Sequence, residues 1–300
     1  MTDPTGLRVL PPVDVLDVLG PERAALCELL SGLDSDAWAR PTECPAWTVQ
    51  GVALHVLGDD LSLLSRQRDA ATPSLFLEGS LPEWPGAPES VLDRFNERWV
   101  HAATFLSPRL LVDLLDRLGT LTLDFYATVD PDSVGEPVML FGMTAAPYRS
   151  IAAREYLERW VHHLQIRRAL GLAAGPLAGD PLGPRGVEVV ARAVASLVAF
   201  VMPSTDRTVA IEFGSTAFTY VHDPASDPAS PHGWAPRAGR GSDPTVSVSV
   251  AEDDVVTLVS RGLSRTDAAA TLHVTAGDPE LGRAVTDGMA AAMSAYYVEL

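Results

Sequence analysis

The chain has no lysine: all 22 basic residues are arginine, set against 39 acidic ones, for a formal net charge of −17. Without lysine there is no Schiff-base nitrogen, which excludes pyridoxal phosphate and lysine-type aldolase chemistry. A Gly-Lys-Ser/Thr phosphate loop is excluded with it. Cysteine is nearly missing too. Cys27 and Cys44 are the two present, too few for a disulfide scaffold or a four-thiolate zinc site. The acidic balance opposes a nucleic-acid backbone or an anionic membrane surface as partner. Long apolar runs are lacking: residues 194–202 form one of the longest, well short of a bilayer span. The start, Met1-Thr2-Asp3-Pro4, has no basic segment followed by an apolar core, so no signal peptide is expected. The expectation is a soluble cytoplasmic protein, monomer or homodimer, that binds neither nucleic acid nor membrane.

What is present suffices for packed cores, with 47% hydrophobic and 20% charged residues. A length of 300 residues suggests two domains, at roughly 150 residues each. Apolar spacing predicts helices over residues 14–33, with a break or kink at Gly20-Pro21, and from the N-cap Thr48 onward. A Pro/Gly-rich loop is expected over 72–88. Helices follow over 89–106 and from Ser107-Pro108, an N-cap with proline at the first helical position. A long connection covers 130–147. A helix over 150–170 should stop at Gly171. Residues 172–186 read as a linker. Beyond them a helix over 187–202 and a hairpin around Gly214-Ser215 are expected. A polar loop over 223–243, a strand over 245–250, a helix over 252–263, a strand over 270–275 and a terminal helix capped by Asp278-Pro279 complete the order. The fold class is a helical bundle over residues 1–172 followed by a small α+β domain over 186–300.

Glu158 and His162 stand four apart in a helical segment, so they share one helix face. Such a pair can hold one metal ion from a single helix, or it can be an ordinary solvated pair. A metal needs a third ligand, and His55 is the leading candidate because it interrupts an apolar helix. His55 also fits a core histidine bonded to a backbone carbonyl. His163 points about 100° away from His162 and reads as exposed or interdomain.

The segment Cys44-Pro45-Ala46-Trp47-Thr48-Val49-Gln50-Gly51-Val52-Ala53-Leu54-His55-Val56-Leu57 resembles the C-P-G-W-T-V-x-D-V-x-x-H-L signature of the mycothiol-dependent maleylpyruvate isomerase family. Glu158-Arg159-Trp160-Val161-His162 is similar to its second signature, Glu-x-x-Val-His. The resemblance implies a DinB-like four-helix bundle and a sterol-carrier-like C-terminal domain, the latter from about Val209 to Gly277-Asp278-Pro279-Glu280-Leu281. It implies His55, Glu158 and His162 as ligands of a divalent metal, usually zinc, with mycothiol as thiol cofactor. Three departures stand out. Ala46 replaces Gly. Gly51 stands where an acid is common. Gln165 stands where many members have Asp, and an amide cannot take a proton at neutral pH.

Two histidines and a carboxylate leave an open coordination position, the pattern of a catalytic site. In the resembling family a metal-bound thiolate adds to an electrophilic carbon. Elimination after rotation about an activated cis double bond gives isomerisation; retention of the thiol gives S-transfer. The alternatives are a zinc hydrolase acting through bound water and a non-catalytic small-molecule-binding protein. An anionic electrophile needs arginine. The candidates are Arg94, Arg98, Arg149 and Arg154 near the bundle. Arg237 and Arg240 join them on a loop framed by Gly239 and Gly241. Arg237, Arg240 and Gln165 are the expected catalytic residues, and Trp47, Trp84, Trp99 and Trp234 are candidates for a pocket wall. Cys44, just before the helix that carries His55, sits where a helix N-terminus can activate a thiol.

Overall fold

A computed structural model describes residues 6–71, 74–83, 87, 90–136, 145–172, 183–202, 206–224 and 232–294. Trp84, parts of the expected connections over 130–147 and 172–186, and the end of the expected terminal helix lie outside them. Helices fill the first half, and a six-stranded mixed sheet with further helices fills the second. The chain divides into two compact units: residues 16–131 with 165–172, and residues 1–15 with 132–164 and 173–300.

The first unit holds α1 (Leu16–Ser31), α2 (Ser35–Trp38), α3 (Val49–Leu63), α4 (Ser74–Ser80), α5 (Val91–Ala103) and α6 (Pro108–Thr128). Helix α6 packs on both α1 and α3, and α5 covers α3. The close α3–α5 approach needs Gly58, where a Cβ would come within 2.6 Å of the Trp99 ring. Arg23 of α1 and Asp60 of α3, both buried, pair at 2.6 Å across the bundle.

The starts of α3, α5 and α6 are written locally. The side chains of Thr48, Ser90 and Ser107 each accept a hydrogen bond from a first-turn N–H, at Gly51, Asp93 and Leu110. Two expectations fail in this unit. Of the break or kink expected at Gly20-Pro21 the break is absent: helix α1 runs through Pro21 without ending, at the loss of one ladder bond. The expected loop over 72–88 contains α4. The buried Glu78 carboxylate in α4 takes two bonds from Arg98 of α5, at 2.5 and 2.8 Å, which fastens the short helix.

Helix α7 (Tyr148–Ala169) is continuous, and its residues from 165 on cluster with the first unit. Gly171 ends it in the left-handed region, with φ +69, as expected. The second unit adds α8 (Gly183–Val201), α9 (Glu252–Val259), α10 (Arg265–Thr271) and α11 (Pro279–Met293). Its strands are β1 (Arg8–Val9), β2 (Val209–Phe213), β3 (Thr216–His222), β4 (Trp234–Ala238), β5 (Val246–Val250) and β6 (Leu272–Gly277). They lie in the order β1-β4-β3-β2-β5-β6. The β2–β3 hairpin turns at Gly214, whose φ is +57. Strand β5 runs parallel to β2, while its other edge pairs antiparallel with β6.

Two further expectations fail here. The polar loop expected over 223–243 contains β4. Its Pro236 is tolerated because β1 pairs only with Arg237 and Ala238, leaving no partner strand to claim an N–H from position 236. The strand expected at 270 begins instead at Leu272, because Ser264 caps a separate helix, α10. No described helix is long and apolar enough to cross a membrane.

Candidate metal centre

Residues 40–48 form a tight turn that delivers α3. The Thr42 hydroxyl accepts from the Cys44 N–H at 3.1 Å and donates to the Trp47 carbonyl at 2.9 Å. The Trp47 N–H returns to the Cys44 carbonyl at 2.8 Å, and the Val49 N–H to the Arg40 carbonyl at 2.9 Å. Thr48 then caps α3, and His55 follows two turns along that helix.

Trp47 folds back over α3. Its ring stacks on the His55 imidazole at 4.8 Å with 25° between planes. Its Nε1–H donates to Glu97 of α5 at 2.8 Å. The indole is thus held at both ends, and it fixes the plane of the imidazole. Gly51 has a physical reason here. A Cβ at that position would stand 2.9 Å from the Trp47 Cβ. The acid common in the resembling family has no room beneath this tryptophan.

On α7, Glu158 and His162 face one another with Oε2 and Nε2 at 3.7 Å. His162 is buried and Glu158 is partly exposed. Ligand atoms of His55, Glu158 and His162 all lie within 4.8 Å of one another. Four-coordinate zinc with bonds of about 2.1 Å spaces its ligands by about 3.4 Å. Two imidazoles and a carboxylate are also donor types that zinc takes. The donor set therefore fits a divalent cation with a position to spare, and it is the one such group among the described residues. Arg154 stands one turn before Glu158, with Nη2 at 3.9 Å from its carboxylate.

Three bonds hold the C-terminal end of α7 to the turn before α3. The Cys44 thiol donates to the Gln165 Oε1 at 3.4 Å. Arg168 bonds the Glu43 carboxylate, and Arg40 donates to the Leu170 carbonyl at 3.2 Å. Burial pushes the Glu43 carboxyl above its ordinary value, and its bond to Arg168 opposes that. Because α7 is one continuous helix, this clamp sits about one turn from His162. Gln165, itself fully buried, is a fastening point of the helix. Cys44 is buried as well, with its sulfur engaged.

The other sequence-expected residues sit elsewhere. Arg237 is on β4, almost completely buried, and paired with Asp223 at 2.6 Å. Arg240 pairs with Glu212 at 3.0 Å and bonds Ser247. Arg149 pairs with Asp132, and Arg94 and Arg98 with Glu78. Trp99 packs on Gly58, and Trp234 meets His222 edge-on at 5.7 Å. His163 is buried, not exposed, and stands outside the three-residue group.

Sequence reasoning missed Glu97, the anchor of Trp47. It also missed the pair of Arg159 and Glu155 at 2.8 Å, both buried on α7. The i,i+4 spacing of the latter was visible; its burial was not. Nearly every side of α7 is covered despite its polar sequence.

Residues 19–167 match the family described as mycothiol maleylpyruvate isomerase N-terminal domain. Two curated relatives, the uncharacterized proteins MT0041 and Rv0036c from two strains of Mycobacterium tuberculosis, are each 28% identical over 146 residues. The match covers 48% of this chain and 51% of theirs, so the chain spans about half the length of the curated relatives it matches. Two crystal structures, of the mycothiol-dependent maleylpyruvate isomerase and of a mutant of it, align over 90% of this chain and 95% of theirs. Their sequence identities are 13% and 14%, and each has a TM-score of 0.48.

Proposed function

Residues 19–167 of this chain belong to the mycothiol maleylpyruvate isomerase N-terminal domain family, and on that premise we propose a metal-dependent enzyme that adds the thiol of mycothiol to a small electrophile. The convergence of His55, Glu158 and His162 carries this reading. A divalent cation held by these three, zinc first among them, supplies Lewis acidity that makes a thiol available as thiolate at neutral pH. The residues of the chain do the rest. Trp47 keeps the His55 ring in plane. Glu158 brings the single negative charge of the set, and Arg154 moderates it from 3.9 Å. The fixed end of α7 keeps His162 in register.

The bond formed joins the thiol sulfur to the electrophilic carbon. With an activated cis double bond, rotation about the carbon–carbon bond and departure of the same thiolate give the trans isomer and return the thiol. If the adduct instead takes up a proton on carbon, the thioether is the product and the reaction is S-transfer. Gln165 is not the source of that proton, since its amide does not titrate at neutral pH. Arg237 and Arg240 are candidates for holding an anionic substrate.

Mass spectrometry of products tests the proposal, using untagged protein, zinc, mycothiol and a set of electrophiles that includes maleylpyruvate. Product is expected only when both zinc and thiol are present, as a thioether or a trans isomer. Turnover with zinc and no thiol refutes it in favour of a zinc hydrolase.

A further inference from the structure

We propose that the electrophilic substrate is an apolar monocarboxylate, seated in a cavity of about 180 Å³ that Glu158 borders, with its carboxylate paired to Arg261. The proposal rests on the reading of Glu158 as a metal ligand and names the substrate class for that site. The cavity lies among α7, α8, the end of α9 and the end of α11, and its lining residues all belong to one compact unit. Its wall is mainly aliphatic, with Val161, Val194, Leu197 and Met293 contributing. Glu158 and Arg261 are the charged residues among its described lining. An apolar cavity of about 150 Å³ accepts a benzene ring, so this one has room for a phenyl or a short branched alkyl group. Among the described lining residues Arg261 is the one cationic side chain, which matches one carboxylate. A small dicarboxylate would place its second charge against aliphatic side chains, at a desolvation cost.

A second observation points to the Arg261 side chain. Helix α9 ends in a Schellman arrangement: the Gly262 N–H bonds the Thr257 carbonyl at 3.0 Å, and the Arg261 N–H bonds the Leu258 carbonyl at 3.1 Å. The arrangement puts Arg261 in the left-handed region, at φ +57. Helix α7 ends the same way, with the Leu172 N–H on the Arg167 carbonyl and the Gly171 N–H on the Arg168 carbonyl. There the left-handed residue is glycine, the residue that adopts this conformation without strain. At α9 the strained position holds an arginine, and glycine stands one place later. A side chain kept in a costly backbone conformation on a cavity wall points to use of that side chain. A guanidinium fits a carboxylate by paired hydrogen bonds.

Calorimetric titration of the full-length, zinc-loaded protein with 3-phenylpropanoate, its uncharged amide, and succinate tests the assignment. Phenylpropanoate is expected to bind at least tenfold more tightly than the other two. Arg261→Gly separates binding from structure. Glycine relaxes the left-handed position, so the melting temperature should hold or rise. Affinity for phenylpropanoate should fall about tenfold, and affinity for the amide should not change. Ala193→Phe, which fills the cavity, should abolish binding of all three. Tighter binding of succinate, or an unchanged phenylpropanoate affinity in Arg261→Gly, overturns the proposal. Zinc content, measured on the same samples, keeps the two claims apart. Zinc uptake without phenylpropanoate binding refutes the substrate class alone. Phenylpropanoate binding that depends on Arg261 in protein that takes up no zinc refutes the metal reading alone.

Discussion

The polar groups of the sheet and those of helix α7 solve opposite problems. On and beside the sheet two guanidiniums meet carboxylates: Arg237 of β4 meets Asp223, and Arg240, just past β4, meets Glu212. Opposite charges neutralise one another, and the pair explains its own position. Glu158 and His162 on α7 differ: Arg154 stands 3.9 Å from Glu158, but the two also converge with His55 of α3 as three electron-pair donors. Donors that face donors are stabilised by a cation. Paired opposite charges and grouped donors make different predictions, and substitution can test the difference from either side.

The largest effect is expected at the donor group. His162→Ala should lower zinc affinity by at least a hundredfold with little change in melting temperature, read by metal analysis and calorimetry. The buried Arg23–Asp60 pair is the structural counterpart within the helical unit. Asp60→Ala leaves a buried guanidinium without this partner and should destabilise the protein by about 3–5 kcal/mol in urea unfolding. Its zinc stoichiometry should stay unchanged. Trp47→Phe keeps a ring on His55 and loses the bond to Glu97. Removing such support behind a ligand typically costs about tenfold or more in metal affinity, measurable by competition with a chelator. Smallest of all, Arg240→Ala removes a half-exposed pair that contributes about 0–1 kcal/mol. A large loss of activity there without loss of stability would move Arg240 from the structural group to the substrate.

Many of the helices were legible in the sequence, because their signals are local. Thr48, Ser107-Pro108, Gly171 and Asp278-Pro279 all act within one turn, and each caps or stops the helix expected of it. The i,i+4 spacing on α7 is local in the same sense. Strand β4 was not legible. Its Pro236 speaks against a strand, and only the short reach of β1 makes it acceptable. Helix α4 lay hidden for a related reason, since what fastens it is Glu78 meeting arginines of α5 about twenty residues away. The burial of His163, Glu155 and Arg159 depends on what surrounds α7, which no spacing within α7 reveals. The Trp47–His55 stack was missed because it joins a residue of the turn to a residue of the helix. Gly51, which looked like the loss of an acid, is the space that Trp47 fills.

Metal analysis of untagged protein tests the central claim most directly, with wild type, His162→Ala and Arg240→Ala measured side by side. About one zinc per chain is expected in the wild type and in Arg240→Ala, and less than a tenth of that in His162→Ala. Equal zinc in all three proteins, or none in any, would contradict the assignment of His55, Glu158 and His162 as a metal centre.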